Sequence, residues 1–221
     1  MPAPFLRTLS LLSLVLAPVA LPAAPAPPAP RAAVVAPAAL DTVVFAGGCF
    51  WGVQAVFQHV KGVVAATSGY AGGTVNSPGY EQVSTGTTGH AESVRVVFDP
   101  AKVSYETLLD VFFRVAHDPT ELNRQGPDVG TQYRSAIFYT NPAQHQVTAK
   151  YLGTLERSGL YKRPVVTQIS ALKGFYPAEA YHQDYATLHP EAPYIVYNDA
   201  PKIADLHTRY PALWSDRISA H

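Results

Sequence analysis

The chain has 221 residues, 48% of them hydrophobic, which is enough for a substantial packed core and excludes a disordered protein. Lys plus Arg equals Asp plus Glu at 16 each, so no charge excess points to nucleic acid or to an anionic membrane surface. Residues 1–40 carry Arg7 and Arg31 and no acid; without them the balance is 14 basic (16 − 2) against 16 acidic, and partner choice has to come from a local site.

In chain order, a leader comes first. Arg7 precedes an apolar run at 9–17, and Ala- and Pro-rich sequence follows, with Ala24-Pro25-Ala26 as a small-residue cleavage pattern. Residues 1–26 therefore read as an export signal, whose cut site Pro27 leaves unresolved. An organellar transit peptide or an uncleaved anchor is the other reading. The run is shorter than the ~18 residues a membrane span needs. Residues 27–40, rich in Ala and Pro, form a semi-rigid linker. Residues 41–221, with no internal repeat or second linker, are expected to make one domain. The location expected is the periplasm or cell envelope, and the mature protein is expected to be a monomer without a membrane span.

Residues 42–46, β-branched and aromatic, read as a buried strand that stops at Gly47-Gly48. Val53, Val56, Phe57 and Val60 have the spacing of one helix face, closed by Gly62. A strand at 63–67 ends in the Gly-rich stretch 68–73, and Val94, Val96 and Phe98 alternate along another strand. Ser104 caps a helix whose apolar face is Leu108, Leu109, Phe112 and Phe113. A loop is expected over 117–131, a strand over 133–139, and a helix from Asn141-Pro142 to about Ser158. A strand at 165–169 and a helix at 178–188 complete the pattern, and the tail from about 189 is expected to be irregular. This mixed order suits an α+β fold: a mixed β-sheet sandwich with helices packed mainly on one face.

The chain has a single cysteine, so no intrachain disulfide can form. Cys49 stands in Gly47-Gly48-Cys49-Phe50-Trp51-Gly52, where strand turns into helix. Unpaired N–H groups at a helix start favour an anion, so a lowered thiol pKa and a nucleophilic sulfur near neutral pH are expected. A structural cysteine packed under the helix is the bland alternative. Phe50 and Trp51 argue against it, because exposed aromatics at such a turn suggest a binding surface. Further on, Thr85-Gly86-Thr87-Thr88-Gly89-His90-Ala91-Glu92 leads into the Val94 strand. If Glu92 points inward, burial raises its pKa and leaves a proton donor; taken alone, an exposed strand-edge Glu is the commoner case. His90 reads as structural. Pro127-Asp128-Val129-Gly130-Thr131-Gln132-Tyr133-Arg134-Ser135 carries polar groups from a loop into a strand, and Tyr80 lies in the loop 76–80.

Gly-Cys-Phe-Trp-Gly, Thr-Gly-His-Ala-Glu, Gly-Thr-Gln-Tyr-Arg-Ser and the late Ala180-Tyr181-His182-Gln183 together resemble the A-type peptide methionine sulfoxide reductases, in order from about Thr42 to about Leu188. The resemblance implies a ferredoxin-like core and reduction of the S epimer of methionine sulfoxide in oxidised proteins and peptides. It implies Cys49 as nucleophile, Phe50 and Trp51 as the wall for the substrate S-methyl group, and Glu92 as the acid at the sulfoxide oxygen. Tyr80 and Tyr133 are similar to the hydroxyls that bond that oxygen, and Asp128 to a supporting member of the polar network. Many relatives carry further cysteines near the C-terminus; this chain has none. No metal or bound-cofactor motif is present, so electrons are expected from an external thiol: thioredoxin, a glutaredoxin-like protein or a small thiol. A one-cysteine thiol peroxidase, a cysteine hydrolase and a non-enzymatic module for Met-containing peptides are the competing readings.

Overall fold

Strand β1 (Asp41–Gly47) forms where Thr, Val and Phe concentrate, and the alternation of its side chains decides the layering. Val43 and Phe45 enter one buried cluster; Val44 and Ala46 enter a second on the opposite face. The computed structural model describes residues 39–221, so the expected leader and nearly all of the linker lie outside the described residues. After β1 come helix α1 (Phe50–Gln58), β2 (Val63–Ala71), the short helix α2 (Tyr80–Ser84), β3 (Ala91–Phe98) and α3 (Tyr105–Val111). A π-helical turn, Phe112–Ala116, continues α3. The chain goes on through β4 (Arg124–Gln125), β5 (Asp128–Val129), β6 (Ser135–Tyr139), α4 (Pro142–Arg157), β7 (Gln168–Ala171) and β8 (Phe175–Pro177). It ends with α5 (Tyr185–Leu188), a second π-helical turn (Ile195–Asp199) and α6 (Ala200–Arg209).

One six-stranded sheet runs in the order β7-β6-β1-β3-β2-β8. Its neighbours are antiparallel except β6 and β7, which are parallel. Within it, β1-α1-β2-β3-α3-β6 has the spatial order β6-β1-β3-β2, which is the ferredoxin-like arrangement. Helices pack mainly on one face. Val53, Val56 and Phe57 of α1, Leu108 and Leu109 of α3, Leu155 of α4 and Leu206 of α6 share the larger cluster with Phe45, Val94 and Phe98. Leu172 and Phe175 close the smaller cluster on the opposite face. The expected α+β class holds.

Four local expectations fail. The loop 117–131 contains the β4–β5 hairpin, with Gln125 paired to Asp128. Tyr133 lies in a 3-10 turn, Thr131–Tyr133, so β6 starts later than the apolar run suggested. The strand expected at 165–169 is displaced to β7, where it pairs with β6. The helix expected at 178–188 is broken: after a 3-10 turn (Ala180–His182) Gln183 is extended, and Asp184 has φ of 57°. Tertiary bonds cause the break. The Gln183 amide accepts from Ser68 N (3.0 Å) and Gln54 Nε2 (3.1 Å) and donates to the carbonyls of Ser68 and Ala178.

The tail is the largest correction. Instead of an irregular wrap it forms the second π-helical turn and α6, with Leu206 fully buried and Ala220 bridged to Ala65 on β2. It is latched at Asp110, whose carboxylate accepts from Tyr151 Oη (2.6 Å), from Arg114 Nε (2.6 Å) and from Tyr210 Oη just after α6. These donors hold the Asp110 pKa below its ordinary value despite partial burial. Asp110→Ala is expected to cost about 2 kcal/mol through the lost charged hydrogen bonds, discounted for partial exposure. A thermal melt should then shift down by roughly 4–8 °C. An unchanged melting temperature would show that the latch is not needed.

Candidate active site

The site is assembled at the start of α1. Gly48 has φ of 93°, and a Cβ there would lie 2.6 Å from the Gln125 side chain. Only glycine makes this turn and lets the β4–β5 hairpin close over it. Cys49 is then the N-cap residue of α1, followed at once by Phe50 and Trp51. Cys49 is 8% exposed.

The strand period supplies the acid. Glu92 shares parity on β3 with Val94, Val96 and Phe98, so it faces the helical layer, where it is 3% exposed. Its Oε2 accepts from Phe50 N at 3.1 Å, which ties the carboxyl to the residue after the cysteine. Burial pushes the Glu92 pKa up to about 8; the Phe50 amide opposes this, and the charges of Asp128 and Asp199 add to it. The inward reading of Glu92 is the correct one, and the side chain is a neutral acid at pH 7.

The Cys49 thiol differs from the sequence expectation. Burial raises its pKa well above the ordinary value, and the charges of Glu92, Asp199 and Asp128 raise it further; the Trp51 amide pulls the other way and loses. The resting sulfur is a thiol, because desolvation and three acids outweigh one helix start. Tyr80 and Tyr133 are raised first by burial and then by the charge of Glu92, with Cys49 contributing to both. Asp128 accepts from Tyr194 Oη. Cys49, Glu92, Tyr80, Tyr133 and Asp128 are therefore gathered within electrostatic reach of one another.

The two aromatics separate. Phe50 is 1% exposed rather than displayed at the turn, and packs with Tyr70 and His182 at centroid distances of 5.9 and 5.0 Å. Trp51 is half-buried and held on three sides. It stacks on Tyr185 at 3.8 Å, meets Tyr194 edge-on at 5.8 Å, and donates from Nε1 to His182 Nδ1 at 3.2 Å. That bond places the remaining ring hydrogen of His182 on Nε2, and burial lowers the His182 pKa, so this imidazole is neutral. Glu179 accepts from Tyr80 N and Tyr70 Oη, both at 2.8 Å, and fixes Tyr80 beside the His182 ring.

Sequence reasoning gave no role to His182, although it stands in one of the quoted motifs, and missed Tyr185, Tyr194 and Asp199 altogether. Asp199 has no exposed surface and bonds Lys202 Nζ at 3.1 Å. A Cβ on Gly52 would come 2.0 Å from Asp199 Oδ1. Gly52→Ala is therefore expected to force the tail away from α1 and to destabilise by about 1–3 kcal/mol, as overpacking does. The urea midpoint should fall accordingly; an unchanged midpoint would mean that the two segments separate freely. Among the described residues no group of three or more His, Cys, Asp and Glu is arranged to hold a metal ion, and no helix is long and apolar enough to cross a membrane.

A lone cysteine beside a protonated carboxyl and two half-buried phenols, on a ferredoxin-like core, is the equipment of an oxidoreductase that works on sulfur. The family model described as peptide methionine sulfoxide reductase matches residues 41–212. The chain is 59% identical over 177 residues to "Peptide methionine sulfoxide reductase MsrA 2" of Mesorhizobium japonicum, covering 80% of this chain and 91% of that protein. It is 47% identical to the MsrA of Pasteurella multocida, covering 77% and 97%. Among solved structures it is similar to methionine sulfoxide reductase A of Corynebacterium diphtheriae, with TM-score 0.60, 36% identity and coverage of 74% and 82%. The reduced form of Mxr1 from Saccharomyces cerevisiae gives TM-score 0.64, 35% identity and coverage of 71% and 89%. The chain belongs to the A-type peptide methionine sulfoxide reductase family.

Proposed function

We propose that this enzyme reduces the S epimer of methionine sulfoxide, protein-bound and free, through a Cys49 sulfenic acid, with Glu92 as the acid. The observation that carries the reading is the buried, protonated Glu92 carboxyl bonded to the amide of Phe50, next to the sulfur. Sulfoxide oxygen is a poor leaving group until it is protonated. Glu92 donates its proton to that oxygen, helped by the Tyr80 and Tyr133 hydroxyls. The Cys49 thiol gives up its own proton to the Glu92 carboxylate as its sulfur bonds to the substrate sulfur. The oxygen passes to Cys49, and the thioether leaves. One thiol and one sulfoxide become one sulfenic acid and one methionine.

Trp51, propped by Tyr185, Tyr194 and His182, supplies an apolar face for the S-methyl group. Asp128, held by Tyr194, braces the polar side. An external thiol, either a small molecule or a thioredoxin- or glutaredoxin-like partner, restores the cysteine. The reading of residues 1–26 as an export signal supports a location in the periplasm or envelope, where such a donor has to be a dedicated one. Mass spectrometry of the protein after one equivalent of substrate, without added thiol, tests the reaction. Expected are one oxygen retained on Cys49 and one methionine released; release without an oxygen on Cys49 would remove the sulfenic acid from the scheme.

A further inference from the structure

Of the motif Gly130-Thr131-Gln132-Tyr133-Arg134-Ser135, only Tyr133 has a part in the reaction derived so far. Three of its other side chains donate to carbonyls on the stretch 84–89. Gln132 Nε2 reaches Ser84 O at 3.0 Å, Thr131 Oγ1 reaches Gly86 O at 3.1 Å, and Arg134 Nη2 reaches Gly89 O at 3.0 Å. That stretch runs from the last residue of α2, whose first residue is Tyr80, to just before β3, which carries Glu92. The turn bearing one phenol is thus fastened to the connection between the other phenol and the acid. Gln132 is the buried member, 5% exposed, and its Oε1 has no hydrogen-bond partner. An apolar side chain of the same length would avoid that unfavourable burial, so stability alone does not account for an amide here. Glycines leave the room it needs: a Cβ on Gly130 would lie 2.2 Å from Oε1, and one on Gly86 3.0 Å.

We infer that Gln132 is a positioning residue: by joining the end of α2 to the turn of Tyr133, it sets the spacing at which the Tyr80 and Tyr133 hydroxyls bond one sulfoxide oxygen. The inference rests on the reading above, in which those hydroxyls serve that oxygen. Helix α2 has five residues, too few to hold its own shape, so its two ends have to be tied from outside. Glu179 takes the amide of Tyr80 at the first end, and Gln132 takes the carbonyl of Ser84 at the last. The Tyr133 pKa is raised mainly by burial and also by the charges of Glu92, Asp128 and Tyr80, so the two phenols lie close together. Both are only half-buried, and packing alone does not fix where their hydroxyls stand. Misplacing such a group by about 1 Å can cost up to about 10²-fold in rate.

Gln132→Met keeps the length of the side chain and removes the donor and the unpartnered oxygen together. These two changes oppose each other, so the melting temperature should stay within about 3 °C of the wild type. Methionine release in a single turnover should nonetheless fall roughly 10-fold. Thr131→Val, which cuts one exposed bond and leaves the core untouched, should slow release about threefold and serves in place of Gln132→Met if that variant does not fold. The same substitutions are then made in Tyr80→Phe/Tyr133→Phe, which is slow from the outset and has no hydroxyls to place. There each should change release by less than about twofold. Equal slowing in both backgrounds would make Gln132 a structural residue and overturn the positioning role alone, as would wild-type release from folded Gln132→Met. Wild-type release from Tyr80→Phe/Tyr133→Phe would overturn it together with the reading of the two hydroxyls beneath it.

Discussion

Glu92→Gln is expected to lower the single-turnover rate of methionine release by about 10²–10⁴-fold while leaving substrate affinity nearly unchanged. Gln keeps the size of the side chain and an oxygen to accept from Phe50 N, so the turn holding Cys49 is preserved. What it cannot do is surrender a proton to the sulfoxide oxygen. The wild-type rate should be level through neutral pH and fall above about 8, because the reactive form is the protonated carboxyl and the Cys49 thiol stays protonated beyond that point. The variant should lack this limb. Stability carries the same signature. A carboxyl whose folded pKa is raised binds more protons folded than unfolded, so folding weakens as pH climbs from the ordinary carboxyl value toward about 8. Removing the titrating group should make Glu92→Gln more stable than the wild type at pH 8–9 and flatten the dependence. Near-normal methionine release from this variant would reject Glu92 as the acid, and a wild-type rate with no decline above pH 8 would reject its protonated state.

Much of this was legible because strand periodicity is local. The strand-to-helix turn at Gly48 placed Cys49 at a helix start, and the alternation of Val94, Val96 and Phe98 was plain, but the direction of Glu92 stayed open until β3 showed it on their side of the sheet. Sums over distant neighbours were not legible. The helix-start argument had the right sign for the thiol, but burial and three acids brought in by β3, β5 and the tail reversed the outcome. The tail itself was misread because its prolines look like helix breakers. Pro201 follows directly on the π-helical turn Ile195–Asp199, in a helical run unbroken from Pro193 to Arg209, and that wider turn accommodates its missing N–H. With the π-helical turn and α6 came Tyr194, Asp199 and Lys202, so the misread tail hid an entire wall of the site. The break at Asp184 was equally invisible. It depends on bonds from Gln183 to Ser68 and Gln54, residues far away in sequence.

Cys49→Ser should abolish turnover outright and yet leave a protein at least as stable as the wild type. Loss of activity follows from the sulfur chemistry. A serine hydroxyl in this setting meets the same burial and the same three acids that keep even the thiol protonated, and oxygen starts from a far weaker acid than sulfur does. No acceptable nucleophile remains, and no sulfenic acid can form. Stability runs the other way because Cys49 is the N-cap of α1 without a side-chain cap bond, whereas serine is among the preferred N-cap residues. A hydroxyl there can accept from an unpaired N–H of the first turn, a gain of about 0.5–1 kcal/mol that offsets the smaller apolar contact. Peptides bearing methionine sulfoxide should therefore bind Cys49→Ser as they bind the wild type, in a protein whose melting temperature is unchanged or higher, with no methionine released. Residual release above background would move the nucleophile away from Cys49. A markedly lower melting temperature would show that the sulfur fills space the fold depends on, rather than standing ready for attack.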